Sequence, residues 1–335
     1  MLRLYTRDPR DPAARASLVG TEVSAPLVPA EPGSPDVVWY DLLSPTTEEK
    51  HFAETQLGLD LPTREEMDEI ELSSRLYYED SAEFMTILVL VDVETGDPLK
   101  RSIAFILKDQ ALVTIRYAEP RPFLQFTSRL SKISAPDGES VMLGLVEAMI
   151  DQLADVLEGT GTEIDAISRE IFRSHVGDAL SASYPLQGLI HRIGRKGDLV
   201  TMGRESLMTI ARLATYHQAL DLNDRKPSKE ARARIKLIQR DVISLSDHAT
   251  FLSGKITFML EATLGLINLE QNQIIKIFSV AAVMFLPPTL VASIYGMNFK
   301  RMPELDWFLG YPWAIVLILL SALLPYLYFK RRGWL

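Results

Sequence analysis

One helical stripe near the C-terminus carries side chains that suit the water shell of an ion. Read at steps of three and four residues, the stripe changes from acidic and amide groups, through apolar groups, to hydroxyls. Polar groups hold or replace an ion's water, and an apolar collar between them can close a channel by dewetting. The stripe therefore indicates a pore lining, and its members are Glu261, Gly265, Asn268, Asn272, Ile275, Ala282, Leu286, Thr289 and Ser293.

The stripe ends in the heptapeptide SIYGMNF, residues 293–299. Apolar helices that cross membranes commonly end at Lys, Arg or Trp, which anchor them at the interface. Here the apolar run ends in a glycine and a lone amide instead. A helix end of this composition therefore indicates a role other than anchoring the helix at the membrane interface.

Two uncharged runs, Ile277–Tyr295 and Trp307–Phe329, are long enough to cross a bilayer. Each is close to the ~20 residues that a helix needs to span an apolar layer of about 30 Å. Lys276 precedes the first run and a Lys-Arg-Arg sequence at 330–332 follows the second. Two spans place both termini on one side, and the basic residues make that side cytosolic. The alternative is a pair of helices buried in a large soluble core.

The composition narrows the classes of function. The chain has 335 residues, a formal net charge of −9 and no cysteine. An acidic chain is unsuited to general nucleic-acid binding, so no nucleic-acid partner is expected. Without cysteine there are no disulfides and no Cys-ligated zinc. The N-terminus lacks the apolar core of a signal peptide, so most of the protein is expected in the cytosol.

The part before the spans reads as an α/β domain followed by helices. Runs rich in β-branched and aromatic residues predict strands at 37–43, 83–93, 101–108 and 111–117, and a capped acidic segment near 44–58 predicts a helix. A helical pattern then continues, with a break near residues 181–185. The predicted segments are an α/β domain (1–135), a helical hairpin (136–226), a long stalk helix (227–273), a first span (274–295), an outer loop (296–308), a second span (309–330) and a basic tail (331–335).

Apolar residues in the predicted stalk follow a heptad spacing, which indicates contact with a partner helix. The seam consists of Ile235, Ile238, Val242, Leu245, Ala249, Leu252, Ile256, Met259, Thr263 and Leu266. We interpret it as a stalk that self-associates around a symmetry axis. The alternative is a helix packed on its own domain.

The pattern YGMNF…MPEL…GYP…YFKRRGWL, over about residues 268–335, closely resembles the C-terminal end of the CorA family of magnesium channels. Gly-Met-Asn after the first of two terminal spans defines that family. The resemblance implies an α+β membrane protein of the inner (cytoplasmic) membrane that forms a funnel-shaped homopentamer. Its implied ion is Mg²⁺, both transported and regulatory, with Co²⁺ and Ni²⁺ as further candidates.

The resemblance also implies roles for individual residues. Gly296, Met297 and Asn298 would form an ion-selecting outer mouth, where the amide oxygen of Asn298 holds hydrated Mg²⁺ without stripping its water. Glu261 and Asn268 would stand at the cytosolic mouth. The implied pore-lining residues are Asn272, Ile275, Phe278, Ala282, Leu286, Thr289 and Ser293.

Two features depart from the family pattern. Lys300 and Arg301 follow the motif where an acidic residue is usual, so that with Glu304 and Asp306 the outer loop is about neutral. The first span has two consecutive prolines where one is usual, which predicts a different kink.

The resemblance implies gating by intracellular Mg²⁺, and the candidate regulatory ligands are Asp80, Glu83, Asp92, Asp241 and Asp247.

Three alternatives remain beside magnesium transport. A zinc transporter of the same superfamily would favour His or Cys ligands, but the five histidines, at 51, 175, 191, 217 and 248, show no paired spacing and read as ordinary surface or packing residues. A membrane-anchored coiled-coil sensor without conduction is the second. An enzyme is not expected, because no catalytic arrangement of Ser, His and carboxylates appears and residues 194–201 lack the spacing of a phosphate loop.

Overall fold

The computed structural model describes residues 1–7, 18–23, 37–130, 137–173, 186–221, 228–298 and 302–334. It divides into two compact units, Met1–Met259 and Leu260–Leu335. The first unit contains a mixed β-sheet and helices. The second contains the C-terminal part of a long helix and one further apolar helix.

The sheet of the first unit has seven strands in the order β2-β1-β3-β7-β6-β5-β4. The pairing of β3 with β7 is parallel, and the other pairs are antiparallel. The four predicted strands correspond to β3, β5, β6 and β7, whereas β1, β2 and β4 were not predicted. The strands are β1 Leu2–Arg7, β2 Leu18–Val23, β3 Val37–Leu43, β4 Leu76–Glu79, β5 Ala82–Val91, β6 Leu99–Lys108 and β7 Ala111–Arg116.

Eight α-helices accompany the sheet in the described residues. The predicted helix near 44–58 begins after Thr46, whose hydroxyl accepts from the Glu49 amide while the Glu49 carboxylate accepts from the Thr46 amide. The helices are α1 Thr47–Leu57, α2 Arg64–Asp68, α3 Leu72–Arg75, α4 Arg121–Arg129, α5 Gly138–Arg173, α6 Leu186–Asp221, α7 Lys229–Tyr295 and α8 Gly310–Arg331.

A buried ion pair joins the parallel strands β3 and β7. The Asp41 carboxylate accepts two hydrogen bonds from the Arg116 guanidinium, at 2.9 Å and 2.8 Å, and both side chains are almost fully buried. The Thr114 hydroxyl donates to the same carboxylate at 2.9 Å and accepts from the Trp39 indole at 2.9 Å. The network therefore satisfies a pair of charges inside an apolar core.

Helix α6 covers the open edge of strand β5. Strand β4 pairs only with residues Ala82 to Met85 of β5, which leaves the remainder of that edge without a strand. At Leu88 the backbone N–H donates to the Thr209 hydroxyl at 3.0 Å, and the Ser206 hydroxyl donates to the Leu88 carbonyl. Side chains of a helix thus replace the ladder bonds that a neighbouring strand would make.

The prediction that the heptad seam of the stalk self-associates is wrong for the first unit. Seven seam residues are buried within the single chain: Ile235, Ile238, Val242, Ala249, Leu252, Ile256 and Met259. Leu252 lies beside Gly161 of α5, and Ile256 lies beside Gly197 of α6. The Arg234 guanidinium makes two hydrogen bonds of 2.8 Å to Glu147 of α5. The seam faces helices of its own chain, because heptad spacing specifies a partner helix but not the chain that supplies it.

We predict that Asp41→Ala lowers the thermal unfolding midpoint by about 10 °C, because the buried Arg116 guanidinium loses its counter-charge, a change that costs about 3–5 kcal/mol. Circular dichroism of the full chain in mild detergent measures it. The control is Asp60→Ala, which removes an exposed aspartate and should change little. Replacing both partners, with Asp41→Leu and Arg116→Met, should recover much of the loss. A midpoint for Asp41→Ala equal to that of the control would contradict the assignment.

Candidate functional site

Helices α7 and α8 both contain stretches that are long and apolar enough to cross a membrane. In the most apolar window of α7 only 6% of residues are buried, and in that of α8 none is. A core helix of a soluble protein would be mostly buried. The exposure of these windows favours helices that face lipid or other copies of the chain.

The two consecutive prolines of the first apolar run do not interrupt the helix. Helix α7 continues through Pro287 and Pro288 to Tyr295. Proline has no N–H, so the carbonyls of Val283 and Met284 lack the donor that an ordinary residue four positions later supplies. Thr289 directs its hydroxyl to the Phe285 carbonyl at 2.7 Å. The span therefore contains backbone acceptors that require another partner if the segment lies in a bilayer.

The polar stripe of the sequence lies on the exposed surface of the second unit. Its members in α7 are exposed without exception, and Phe278, the remaining predicted pore residue, is exposed as well. The helical spacing brings them onto one side of α7. The exposed residues are Glu261, Gly265, Asn268, Asn272, Ile275, Phe278, Ala282, Leu286, Thr289 and Ser293.

The Gly-Met-Asn segment follows the last residue of α7. The Gly296 amide donates to the Ala292 carbonyl at 3.0 Å, and the Met297 amide donates to the Ile294 carbonyl at 3.2 Å. A Cβ atom on Gly296 would lie 3.1 Å from the Ala292 oxygen, so the glycine provides space for a tight helix end. Asn298 is exposed. Residues 299–301, which include Lys300 and Arg301, lie outside the described part.

A short turn at Pro303–Asp306 precedes α8. A Cβ atom on Gly310 would lie 2.1 Å from the Glu304 carbonyl oxygen, so only glycine allows the turn to approach the start of α8 this closely. The Glu304 side chain is exposed. The side chain of Asp306, the other predicted acid of the loop, lies outside the described residues.

The five candidate regulatory carboxylates do not meet in the single chain. Asp80 and Asp92 occupy left-handed turn positions, with φ of 48° and 57°. Asp241 and Asp247 are exposed on α7. Among the described residues, no group of three or more His, Cys, Asp or Glu is arranged to hold a metal ion.

Glu83, the fifth of these carboxylates, has a different environment, since its side chain is buried in the first unit. Its carboxylate lies 2.6 Å from Nδ1 of His217, and the Glu139 carboxylate lies 3.2 Å from Nε2 of the same ring. These contacts join β5, α5 and α6. We therefore interpret Glu83 as a residue that holds these elements together, and not as a ligand for a regulatory ion. The interpretation of His217 as an ordinary surface or packing residue missed this link.

Sequence reasoning also missed a row of carboxylates on α5, formed by Glu147, Asp151 and Asp155. The row lines a cavity of about 790 Å³ together with Arg129 and Arg234. Burial raises the pKa of Asp151, the carboxylates of Asp155 and Glu147 raise it further, and Arg129 opposes them. Asp241 of α7 adds to the repulsion. The sequence signal that could have identified this row is the spacing of four residues between the three acids along a predicted helix.

Comparison with known proteins relates this architecture to one family. The profile described as "CorA-like Mg2+ transporter protein" matches residues 34–331. The chain belongs to the CorA family. It is 37% identical to the magnesium transport protein CorA of Escherichia coli K12 over 323 residues, which cover 96% of this chain and 97% of that protein. It is 38% identical to the Salmonella typhimurium CorA over 303 residues, 90% and 92% of the two chains.

Solved structures agree on the CorA fold. The complete structure of the CorA magnesium transporter from Methanocaldococcus jannaschii matches with a TM-score of 0.77, at 17% identity, and covers 100% of this chain and 99% of that one. The full-length CmaX protein matches with a TM-score of 0.63, at 14% identity, over 100% and 98% of the chains. The predicted α/β domain, long helix and two C-terminal apolar helices are thereby confirmed. CorA proteins are transporters, so the expectation that the chain is not an enzyme is also confirmed.

Proposed function

We propose that this protein carries Mg²⁺ into the cell across the cytoplasmic membrane through a pore lined by the exposed stripe of α7. The observation that carries the proposal is the continuity of that stripe, from Glu261 to the Gly296–Asn298 segment, in a chain of the CorA family. The relatives named as magnesium transport proteins align over nearly the whole chain, which supports Mg²⁺ as the substrate.

The chemistry at the outer mouth follows from the properties of Mg²⁺. This ion dehydrates reluctantly and prefers octahedral oxygen ligands. The neutral amide oxygen of Asn298 can accept hydrogen bonds from the water shell without removing it. A ring of carboxylates would bind the ion more tightly and release it more slowly. Co²⁺ and Ni²⁺ are proposed as competing ions.

The pore requires several copies of α7, and we propose a homopentamer in the lipid bilayer. The seam in the first unit is already occupied, so another surface must carry the assembly. Leu237, Ile243, Phe251 and Phe258 provide one, since each is more than half exposed and they lie on the opposite side of α7 from the seam. An exposed apolar stripe of this length is typical of an interaction surface.

Both termini are proposed to be cytosolic, on the basis of Lys276 and the basic residues at the end of α8. Intracellular Mg²⁺ is proposed to regulate the channel, with Asp80, Asp92, Asp241 and Asp247 as candidate ligands between copies. Burial raises the pKa of Asp151 most, and the carboxylates of Asp155, Glu147 and Asp241 raise it further, so a cation bound in this region would reduce their repulsion.

We predict that Asn298→Ala greatly lowers Mg²⁺ uptake into proteoliposomes, by about tenfold or more, because the amide ring that recognises the hydrated ion is lost. Asn298→Asp should bind divalent cations more tightly and slow their release, an effect that salt weakens. The ion selectivity of each variant is measured by how strongly Co²⁺, Ni²⁺ and Zn²⁺ inhibit Mg²⁺ uptake.

The control for this experiment is Gln273→Ala, which removes an exposed amide of α7 that lies off the stripe. Light scattering in mild detergent should give the mass of five chains for the wild type and each variant. Uptake by both Asn298 variants at the wild-type rate would refute the selectivity assignment. An absence of Mg²⁺ uptake into proteoliposomes that contain the purified wild-type protein would refute the proposed function.

We predict that a cysteine replacing Phe308, which is 96% exposed, reacts with an impermeant thiol reagent added outside intact cells. A cysteine replacing Ile70, which is 88% exposed, should react only after the membrane is opened. The experiment needs no background mutations, because the chain has no cysteine. The reverse labelling pattern would show that the proposed topology is inverted.

We predict that Asp151→Asn raises the thermal stability of the protein at neutral pH by a few degrees. The folded-state pKa of Asp151 is raised, so the ionised carboxylate costs stability above that pKa. The gain should therefore disappear as the pH falls towards about 4, where the wild-type carboxyl is protonated. Thermal unfolding at both pH values measures it.

Millimolar Mg²⁺ should stabilise the wild type by relieving the same repulsion, and should stabilise Asp151→Asn less. The exposed-site control is Asp60→Asn. Equal effects of Mg²⁺ on the wild type, Asp151→Asn and Asp60→Asn would count against a cytosolic Mg²⁺ sensor in this region.

A further inference from the structure

Cations at the C-terminal end of the second unit lie over aromatic rings. The Lys330 ammonium is 5.7 Å from the centre of the Tyr326 ring, and the Arg332 guanidinium is 5.7 Å from that of Tyr328. Both pairs lie at the end of α8. The third pair joins α7 to the segment that follows α8, because the ammonium of Lys276 in α7 lies 6.0 Å from the ring centre of Trp334.

The backbone at the end of α8 fixes the position of Trp334. Gly333 has a φ of 69°, the left-handed conformation that ends many helices. The Trp334 amide donates to the Phe329 carbonyl at 3.1 Å, and the Gly333 amide donates to the Lys330 carbonyl at 3.2 Å. The Trp334 ring stacks on Phe329 with 5.4 Å between centroids. The two hydrogen bonds therefore fix the backbone at Gly333 and Trp334, and the contact with Phe329 holds the indole ring.

Lys276 is placed where its charge would matter to an ion in the pore. It lies one helical turn after Asn272 and directly before the uncharged run that starts at Ile277. Helical spacing places Lys276 at the border of the exposed stripe, beside Asn272 and Ile275. A lysine ammonium sits on a flexible stem of four carbons, so it can turn towards the stripe unless something holds it.

We propose that Trp334 is a positioning residue that holds the Lys276 ammonium away from the pore stripe. The inference rests on the proposed function, since it concerns the end of that pore which the proposed topology places in the cytosol. In a symmetric assembly each copy contributes one Lys276, and a ring of free ammonium groups at this level would repel a divalent cation. The face of an indole attracts a cation without neutralising it, so it can keep this charge to one side.

The test measures Mg²⁺ uptake into proteoliposomes for four proteins: wild type, Trp334→Ala, Lys276→Gln and the double variant. Trp334→Ala should lower the uptake rate about three- to tenfold, because the released ammonium groups repel the ion. Lys276→Gln in the Trp334→Ala background should restore most of the rate. Raising KCl from about 0.05 M to about 0.5 M should shrink the Trp334→Ala defect, since salt screens the repulsion. Trp334→Phe, which keeps an aromatic face, should fall between the wild type and Trp334→Ala.

Tyr326→Ala is the matched control, because it removes the ring below Lys330 and leaves the contact between Lys276 and Trp334 in place. Lys276→Gln should not rescue any defect of that variant. A Trp334→Ala rate equal to the wild-type rate would overturn the proposal. So would a Trp334→Ala defect that Lys276→Gln fails to relieve, because it would identify Trp334 as a simple membrane anchor. Wild-type protein without uptake is a different result, which refutes the proposed function itself.

A second measurement covers the case in which Trp334→Ala assembles poorly. Lys276→Cys is modified with a cationic ethylammonium reagent or with a neutral methyl reagent, both specific because the chain has no other thiol. With Trp334 present the two adducts should give similar uptake. With Trp334→Phe the cationic adduct should slow uptake more than the neutral one. Equal effects of the two adducts in both backgrounds would overturn the proposal.

Discussion

The backbone hydrogen bonds of helix α7 are the constraint on which the rest of the structure depends. An unpaired peptide group is costly in lipid, and a helix is the structure that pairs these groups within a single segment that crosses a bilayer. Helix α7 meets this condition over most of its 67 residues. With the backbone engaged in this way, the choice of side chains on each face determines what the helix contacts.

The two units use these faces differently. Up to Met259, one face of α7 is buried against α5 and α6 of the same chain, and the Arg234–Glu147 pair fixes its position. The opposite face carries exposed apolar residues, among them Phe251. From Glu261 onward, an exposed stripe changes from acidic and amide groups, through apolar groups, to hydroxyls. One helix thus changes from a domain element to a candidate channel wall without a break in its backbone.

Local patterns could be predicted from the sequence, and contacts distant in the chain could not. Strand β3 was predicted at its observed bounds, because a run of β-branched and aromatic residues is a local signal. Strand β4 has only four residues, too few for such a signal. The seam of α7 was recognised but assigned to the wrong partner, since residue spacing does not identify the chain that fills it.

The candidate site also has local features that the sequence predicts and distant contacts that it does not. The two spans and Gly296–Asn298 are local features of the chain, so residue types and spacing suffice to propose the pore stripe. The regulatory residues could not be chosen by sequence alone, because acidic residues are common on solvated surfaces. Glu83 and His217 are 134 residues apart, and only the fold brings them within 2.6 Å. The cluster at Asp151 likewise depends on how α5 meets α7.

The way in which α6 covers the edge of β5 has a consequence for a protein that works as several copies. Sheets with open edges can pair with each other, and copies held close together in one complex would meet at high local concentration. Because the Thr209 hydroxyl accepts from the Leu88 N–H and the Ser206 hydroxyl donates to the Leu88 carbonyl, that stretch of edge offers no template to a neighbouring chain. Two hydroxyl side chains on a helix therefore protect this stretch of the edge from pairing with another copy, and β5 needs no proline there to prevent it.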